Sequence, residues 1–148
     1  MTAPIILAVD TRDLDTAKRW VEATRESVSV YKLGLEFFLK FGREGVATIQ
    51  RETDCEIFLD LKLHDIPNTV AGACSSVAEL KPRFLTVHAS GGAEMVSAAV
   101  GASPGTSITA VTVLTSLDTE ELNRLVVWLV LFGSTLLNHH KFVSLEEV

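Results

Sequence analysis

The sequence predicts an α/β fold of the (β/α)8 TIM-barrel type, incomplete at about five to six βα units. Three observations predict it. Apolar runs of strand length alternate five times with helically spaced segments, the pattern of a parallel sheet with helical crossovers. Charged and polar residues gather at the ends of those runs: Asp10, Lys32, Asp60 with Lys62, His88, Thr115 and Ser116. In such barrels that C-terminal face carries the active site. The first turn, Asp10-Thr11-Arg12-Asp13, has no glycine, whereas a doubly wound sheet usually binds phosphate on a Gly-rich first turn.

Pro4 to Val9 is a short buried strand ending at Asp10. Thr11 to Asp13 supplies N-cap candidates for a helix from about Leu14 to Glu26, with Leu14, Ala17, Val21 and Ala23 as its apolar stripe. Val28 to Leu33 is a second strand, closed by Gly34; Phe37, Phe38 and Phe41 form a packed helical turn, and Gly45 to Arg51 another helix. Ile57 to Leu63 is the central strand. Pro67 suits a first helical turn, and Val70, Ala71, Cys74, Val77 and Ala78 have helical spacing. Arg83 to Ala89 is a strand, Ala93 to Val100 a helix, and Ser107 to Leu114 a β-branched strand. Asp118 and Glu121 are spaced as a capping pair for the helix that follows.

The central strand alternates strictly. Ile57, Leu59, Leu61 and Leu63 share one face, and Phe58, Asp60 and Lys62 the other. An acid and a base two residues apart in an apolar strand are costly to bury unless they pair or face a wet cavity. An ordinary salt bridge at the rim of the domain accounts for a bare D-x-K-x-x-D as well as a reactive site does.

The longer string, DLKLHDIPNT from Asp60 to Thr69 with Leu59 ahead of it, resembles the signature of orotidine 5′-phosphate decarboxylases, which make UMP in pyrimidine synthesis. The resemblance runs from about Ile5 to about Leu122. It includes LAVD ending at Asp10, YKLG with Lys32, TVHASGG with His88, and TVLTS with Thr115 and Ser116. It implies a cofactor-independent, cytoplasmic decarboxylase acting on a small nucleotide. Lys62 would be the proton donor, Asp60 would lie beside the substrate carboxylate, and Lys32 and Asp65 would complete the catalytic charges. Asp10 and Lys32 would bind the ribose hydroxyls, and Thr115 or Ser116 the pyrimidine. Asp65, Ile66 and Thr69 would reach into the neighbouring site of a homodimer. His88 would lie near the mouth, with a structural hydrogen-bonding role favoured over a part in the chemistry.

These residue types suit that chemistry. Loss of CO2 from C6 leaves a poorly stabilised carbanion, so a fixed cation that also delivers a proton is needed there. A carboxylate at about 4 Å favours the charged lysine by roughly 4 kcal/mol at an effective dielectric near 20. The chemistry implied by the resemblance requires no metal, flavin, pyridoxal phosphate or thiamine. Sugar-phosphate decarboxylases of the 3-keto-gulonate 6-phosphate type are similar at Asp60, Lys62 and Asp65 but use a metal ion; HDIPNT and the lysine of YKLG favour the nucleotide enzyme. A non-catalytic fragment that keeps the dimer-forming half is the other alternative.

The net charge of −6 and the absence of a basic block among thirteen Lys and Arg argue against nucleic acid as the main partner. Cys55 and Cys74 lack metal spacing and are expected to be buried free thiols; with no signal peptide visible, a reducing cytoplasm is the default. The family pattern covers residues 1–124, and residues 125–148 form a divergent apolar tail. Its apolar run of about thirteen residues is shorter than the ~20 that span a bilayer, so no membrane role is expected. His139 and His140 are adjacent and make a poor metal pair. A full barrel needs about 250 residues, and the later strands and the phosphate-gripping loop of the resembled family have no counterpart here.

Overall fold

The computed structural model describes residues 5–126. The chain divides into two compact units, Met1–Thr112 and Val113–Val148. The first unit runs β1 (Ile6–Ala8), α1 (Leu14–Thr24), β2 (Val30–Gly34), α2 (Leu35–Arg51), β3 (Glu56–Leu63), α3 (Pro67–Ala78), β4 (Phe84–His88), a 3₁₀ turn (Ala89–Gly91), α4 (Gly92–Gly101) and β5 (Ser107–Val111).

All strand pairings are parallel, and the order in the sheet is β1-β2-β3-β4-β5. Space thus follows sequence without a switch point, as in a segment of a (β/α)8 barrel and unlike a doubly wound sheet. Among the described residues β1 and β5 each pair on one side only. Leu33, Leu59, Leu85 and Ile108 form one row across four strands. That row packs with Ala17 and Val21 of α1, Phe37, Val46 and Ile49 of α2, Val70, Cys74 and Val77 of α3, and Met95 and Ala99 of α4 in a single core. Right-handed crossovers put successive helices on the same face. The row Ala8, Lys32, Phe58, Phe84 and Ser107 lies on the other face.

Local chemistry explains the element ends. Asp13 caps α1 by accepting from the Thr16 amide at 2.7 Å. Ala23, expected on the apolar stripe, is exposed, because it lies about 200° around the helix from Val21. The second strand starts at Val30, not Val28, since the Val28 amide still donates to Thr24 O in the turn. The fifth ends at Val111, short of Leu114. Pro67 occupies the first turn of α3, where its missing N–H costs no helical bond. Both cysteines are free; Cys74 is buried and Cys55 half-buried.

The two helical pieces expected around residues 37–51 are joined into α2 across a kink at Gly42, whose φ of 60 and ψ of −159 are non-helical. Phe37 and Phe41 stack at 4.9 Å just before it. After the kink, Gly45 is buried, and a Cβ there would lie 2.2 Å from Phe41 Cβ. The crowding atom is anchored to backbone and cannot swing away. We expect Gly45→Ala to destabilise the fold by about 1–3 kcal/mol, despite the gain of about 0.5–1 kcal/mol that alanine brings to a helix interior. Urea unfolding of the two proteins tests this, and an unchanged or higher midpoint contradicts it.

In the second unit, Asp118 and Glu121 form the anticipated capping box: the Glu121 amide donates to Asp118 Oδ1 at 2.8 Å and the Asp118 amide to Glu121 Oε2 at 3.1 Å. Helix follows over residues 119–126. The expected apolar tail lies outside the described residues beyond Val126, as do His139 and His140. No helix among the described residues is long and apolar enough to cross a membrane.

Candidate active site

β3 delivers the central charges. Its buried residues Ile57, Leu59 and Leu61 face the helices, which turns Asp60 and Lys62 to the opposite face as the alternation requires. Lys62 Nζ donates to Asp60 Oδ1 at 2.8 Å. From β2, Lys32 Nζ lies 3.6 Å from Asp60 Oδ2 and 3.2 Å from Asp10 Oδ1 at the end of β1. Asp10, Lys32, Asp60 and Lys62 thus form one line of alternating charge across three adjacent strand ends. Gly34 closes β2 beside it, and a Cβ there would lie 3.5 Å from Asp10 Oδ1.

The backbone supporting Lys62 is irregular. Leu59 pairs with Leu85 and Leu63 with Val87, so β3 spends four residues where β4 spends two. Lys62 takes a φ of 49, a left-handed conformation uncommon for a residue with a Cβ. Its amide donates to the Thr86 hydroxyl at 2.9 Å, and that hydroxyl donates to Asp60 Oδ1 at 2.9 Å. Thr86 was not among the residues singled out from sequence. A lone threonine in an apolar strand carries no signal until the register with β3 is known.

Asp60 is the pivot of the cluster. Burial pushes its carboxyl pKa up, but hydrogen bonds from Lys62 and Thr86 and the charges of Lys62 and Lys32 outweigh burial and hold it below the ordinary 3.8. Its side chain keeps 14 % of its surface and that of Lys62 36 %, so the ammonium remains within reach of solvent or a ligand. A carboxyl whose pKa is lower in the folded than in the unfolded chain stabilises the fold above the unfolded value, and this stabilisation is lost as pH falls through the folded one. Urea midpoints of wild type and Asp60→Asn are therefore expected to converge as pH drops below about 3.8. A gap that widens there contradicts the assignment.

The other residues expected at the site fall into two groups. Asp65, Ile66 and Thr69 are exposed on the loop and first turn leading into α3. Asp65 Oδ1 accepts from the Ile66 amide at 2.7 Å, and among the described residues no ion pair joins it to Lys62. Ile66 is a large apolar side chain left mostly in water. His88 ends β4 with its ring 5.3 Å from that of His64. Thr115 and Ser116 are exposed and belong to the second unit.

Chemically, the cluster offers a strongly held carboxylate and an accessible ammonium fixed against it. That pair can place negative charge and a proton source side by side on a bound molecule.

Comparison with known proteins fits this geometry. A family model described as "Orotidine 5'-phosphate decarboxylase / HUMPS family" matches residues 3–134. The orotidine 5′-phosphate decarboxylase of Thermobifida fusca is 58% identical over 118 residues, covering 80% of this chain and 51% of that protein. The one from Frankia casuarinae is 44% identical over 140 residues, covering 83% of this chain and 51% of that protein. The chain thus spans about half the length of these curated relatives. Among solved structures, an uncharacterized conserved protein from Geobacillus kaustophilus superposes with a TM-score of 0.75 at 34% identity, over 83% of this chain and 60% of that one. Orotidine 5′-monophosphate decarboxylase from Methanocaldococcus jannaschii gives 0.64 at 27% identity, over 68% of this chain and 50% of that one. The fold is accordingly part of a TIM barrel, and the chain belongs to the orotidine 5′-phosphate decarboxylase / HUMPS family.

Proposed function

We propose that this chain carries the reacting centre of an orotidine 5′-phosphate decarboxylase, converting its substrate to UMP and CO2 with Lys62 as proton donor. The line Asp10, Lys32, Asp60, Lys62 carries the proposal. The C6–carboxylate bond breaks, CO2 departs, and the electron pair left on C6 takes a proton from Lys62 Nζ. The lysine is then reprotonated from water. Asp60 stands beside the leaving carboxylate and holds the ammonium in place; like charges there favour departure of CO2. Asp10 and Lys32, one pair at the end of β1 and on β2, serve the ribose hydroxyls.

Asp65, Ile66 and Thr69 are assigned to a neighbouring subunit's site in a homodimer. Their exposure supports this: a charged, an apolar and a hydroxyl side chain are exposed on the loop and first turn leading into α3. The compartment proposed is the cytoplasm, where the substrate class and the free thiols both belong.

A second proposal is a non-catalytic fragment, favoured by the length covered relative to the curated proteins. Binding of remote substrate groups normally serves the reacting centre, so a chain that did not bind them would lose turnover as well as affinity. Loss of orotidine 5′-phosphate absorbance with the purified chain decides between the two. Turnover supports the enzyme; its absence in folded protein, at any added magnesium concentration, supports the fragment. Turnover of a sugar phosphate only when magnesium is added would replace both with the metal-using chemistry.

A further inference from the structure

We propose that Thr86 is a positioning residue, whose hydroxyl clamps the backbone of Lys62 and the carboxylate of Asp60 into one geometry and so presents proton donor and carboxylate to the substrate together. The proposal rests on the decarboxylase reading.

Thr86 is 2 % exposed in the middle of β4. A buried hydroxyl has one proton to give, and here its use is fixed from both sides. The Lys62 N–H points at Thr86 Oγ1 and can only donate, so the hydroxyl proton is free for Asp60 Oδ1. Thr86 stands opposite the surplus stretch of β3 between Leu59 and Leu63, where the ladder shifts register. A bulge of this kind takes a backbone N–H off its strand partner, and an orphaned buried N–H is costly. The threonine side chain takes the place of the missing ladder acceptor.

The clamp has a reason beyond satisfying one amide. Lys62 sits at a φ of 49, which for a residue with a Cβ persists only when the surroundings hold it. Released from Thr86, Lys62 can relax toward ordinary extended backbone and re-aim its side chain. Asp60 would at the same time lose one of the two donors on Oδ1, keeping Lys62 there and Lys32 on Oδ2. Both partners of the reacting pair therefore depend on one buried hydroxyl.

Thr86→Val keeps the shape and branching but removes the hydroxyl, and Thr86→Ser restores it. Steady-state decarboxylation and a ¹³C NMR titration of the Asp60 carboxyl are to be measured on wild type and both variants, with folding checked by circular dichroism. We expect Thr86→Val to lower kcat by about 10- to 100-fold, the worth of a hydrogen bond to a charged group, with KM changed less than about threefold. Its Asp60 midpoint should rise. Thr86→Ser should stay within about threefold of wild type in kcat and keep the midpoint. Where Thr86→Val does not fold, Thr86→Ala removes the same hydroxyl and carries the comparison. The proposal is overturned if the folded hydroxyl-free variant keeps the wild-type midpoint, or if Thr86→Ser loses as much as it does. A wild-type chain without turnover would count against the decarboxylase reading alone, because the Asp60 titration still decides whether the clamp exists.

Discussion

Lys62→Ala is expected to lower decarboxylation by about 10²–10⁴-fold, the range that a positioned general acid supplies. Two effects combine. On the mechanism proposed above, the variant has no group to deliver a proton to C6 and no cation where the carbanion charge develops. Asp60 is not left isolated, since Lys32 and Thr86 still hold it, so the loss should appear in kcat rather than as collapse of the site. Folding is protected for a further reason: position 62 is held at a φ of 49, and alanine tolerates that conformation no worse than lysine does. Lys62→Gly, which removes the strain altogether, should be at least as stable as Lys62→Ala while equally inactive. Following absorbance of orotidine 5′-phosphate with all three proteins tests this. Retention by Lys62→Ala of more than a tenth of wild-type kcat would remove Lys62 from the chemistry.

The largest stability effect is expected at Leu59. It is fully buried at the centre of β3, the middle strand of five. On either side in its row are Leu33 and Leu85, both fully buried, so no neighbour can swing in from solvent to fill the space. Leu59→Ala should therefore cost about 2–5 kcal/mol, toward the upper part of that range because parallel strands on both sides limit collapse. That is a large fraction of the roughly 5–15 kcal/mol that stabilises a typical domain. Leu39, 76 % exposed, provides the contrast, and Leu39→Ala should change stability by less than about 0.5 kcal/mol. Urea midpoints at constant slope measure both. A Leu59→Ala cost below about 1 kcal/mol would show that the core does not close around β3 as described.

What sequence alone disclosed follows from how local each signal is. The alternation from Ile57 to Leu63 is a property of one strand, and it placed Asp60 and Lys62 on the same face correctly. Capping chemistry is equally local, which is why Asp13, Pro67 and the Asp118–Glu121 pair could be read directly. Lys32 meets both Asp10 and Asp60 only because sequential strands lie side by side, and that followed from the fold class. Thr86 escaped notice because its importance arises from a register shift between two strands, which neither strand encodes by itself. The left-handed backbone at Lys62 was invisible for the same reason: nothing about lysine suggests it, and the partner that holds it is 24 positions away. Ala23 was misplaced by one residue on the helical wheel, where Thr24 follows Leu14, Ala17 and Val21 instead.

The order of the strands bears on how this sheet is born. Because β1 to β5 lie in the sheet as they lie in the chain, each of β2 to β5 finds its partner already made when it leaves the ribosome. Among the described strands no pairing waits for a distant segment, so loop-closure entropy stays small for each step. At about 5–20 residues per second, each new βα unit has on the order of a second to dock before the next appears. Assembly can thus proceed as a ratchet from the N-terminus, with the newest strand offering its free side as the template for the one still being synthesised.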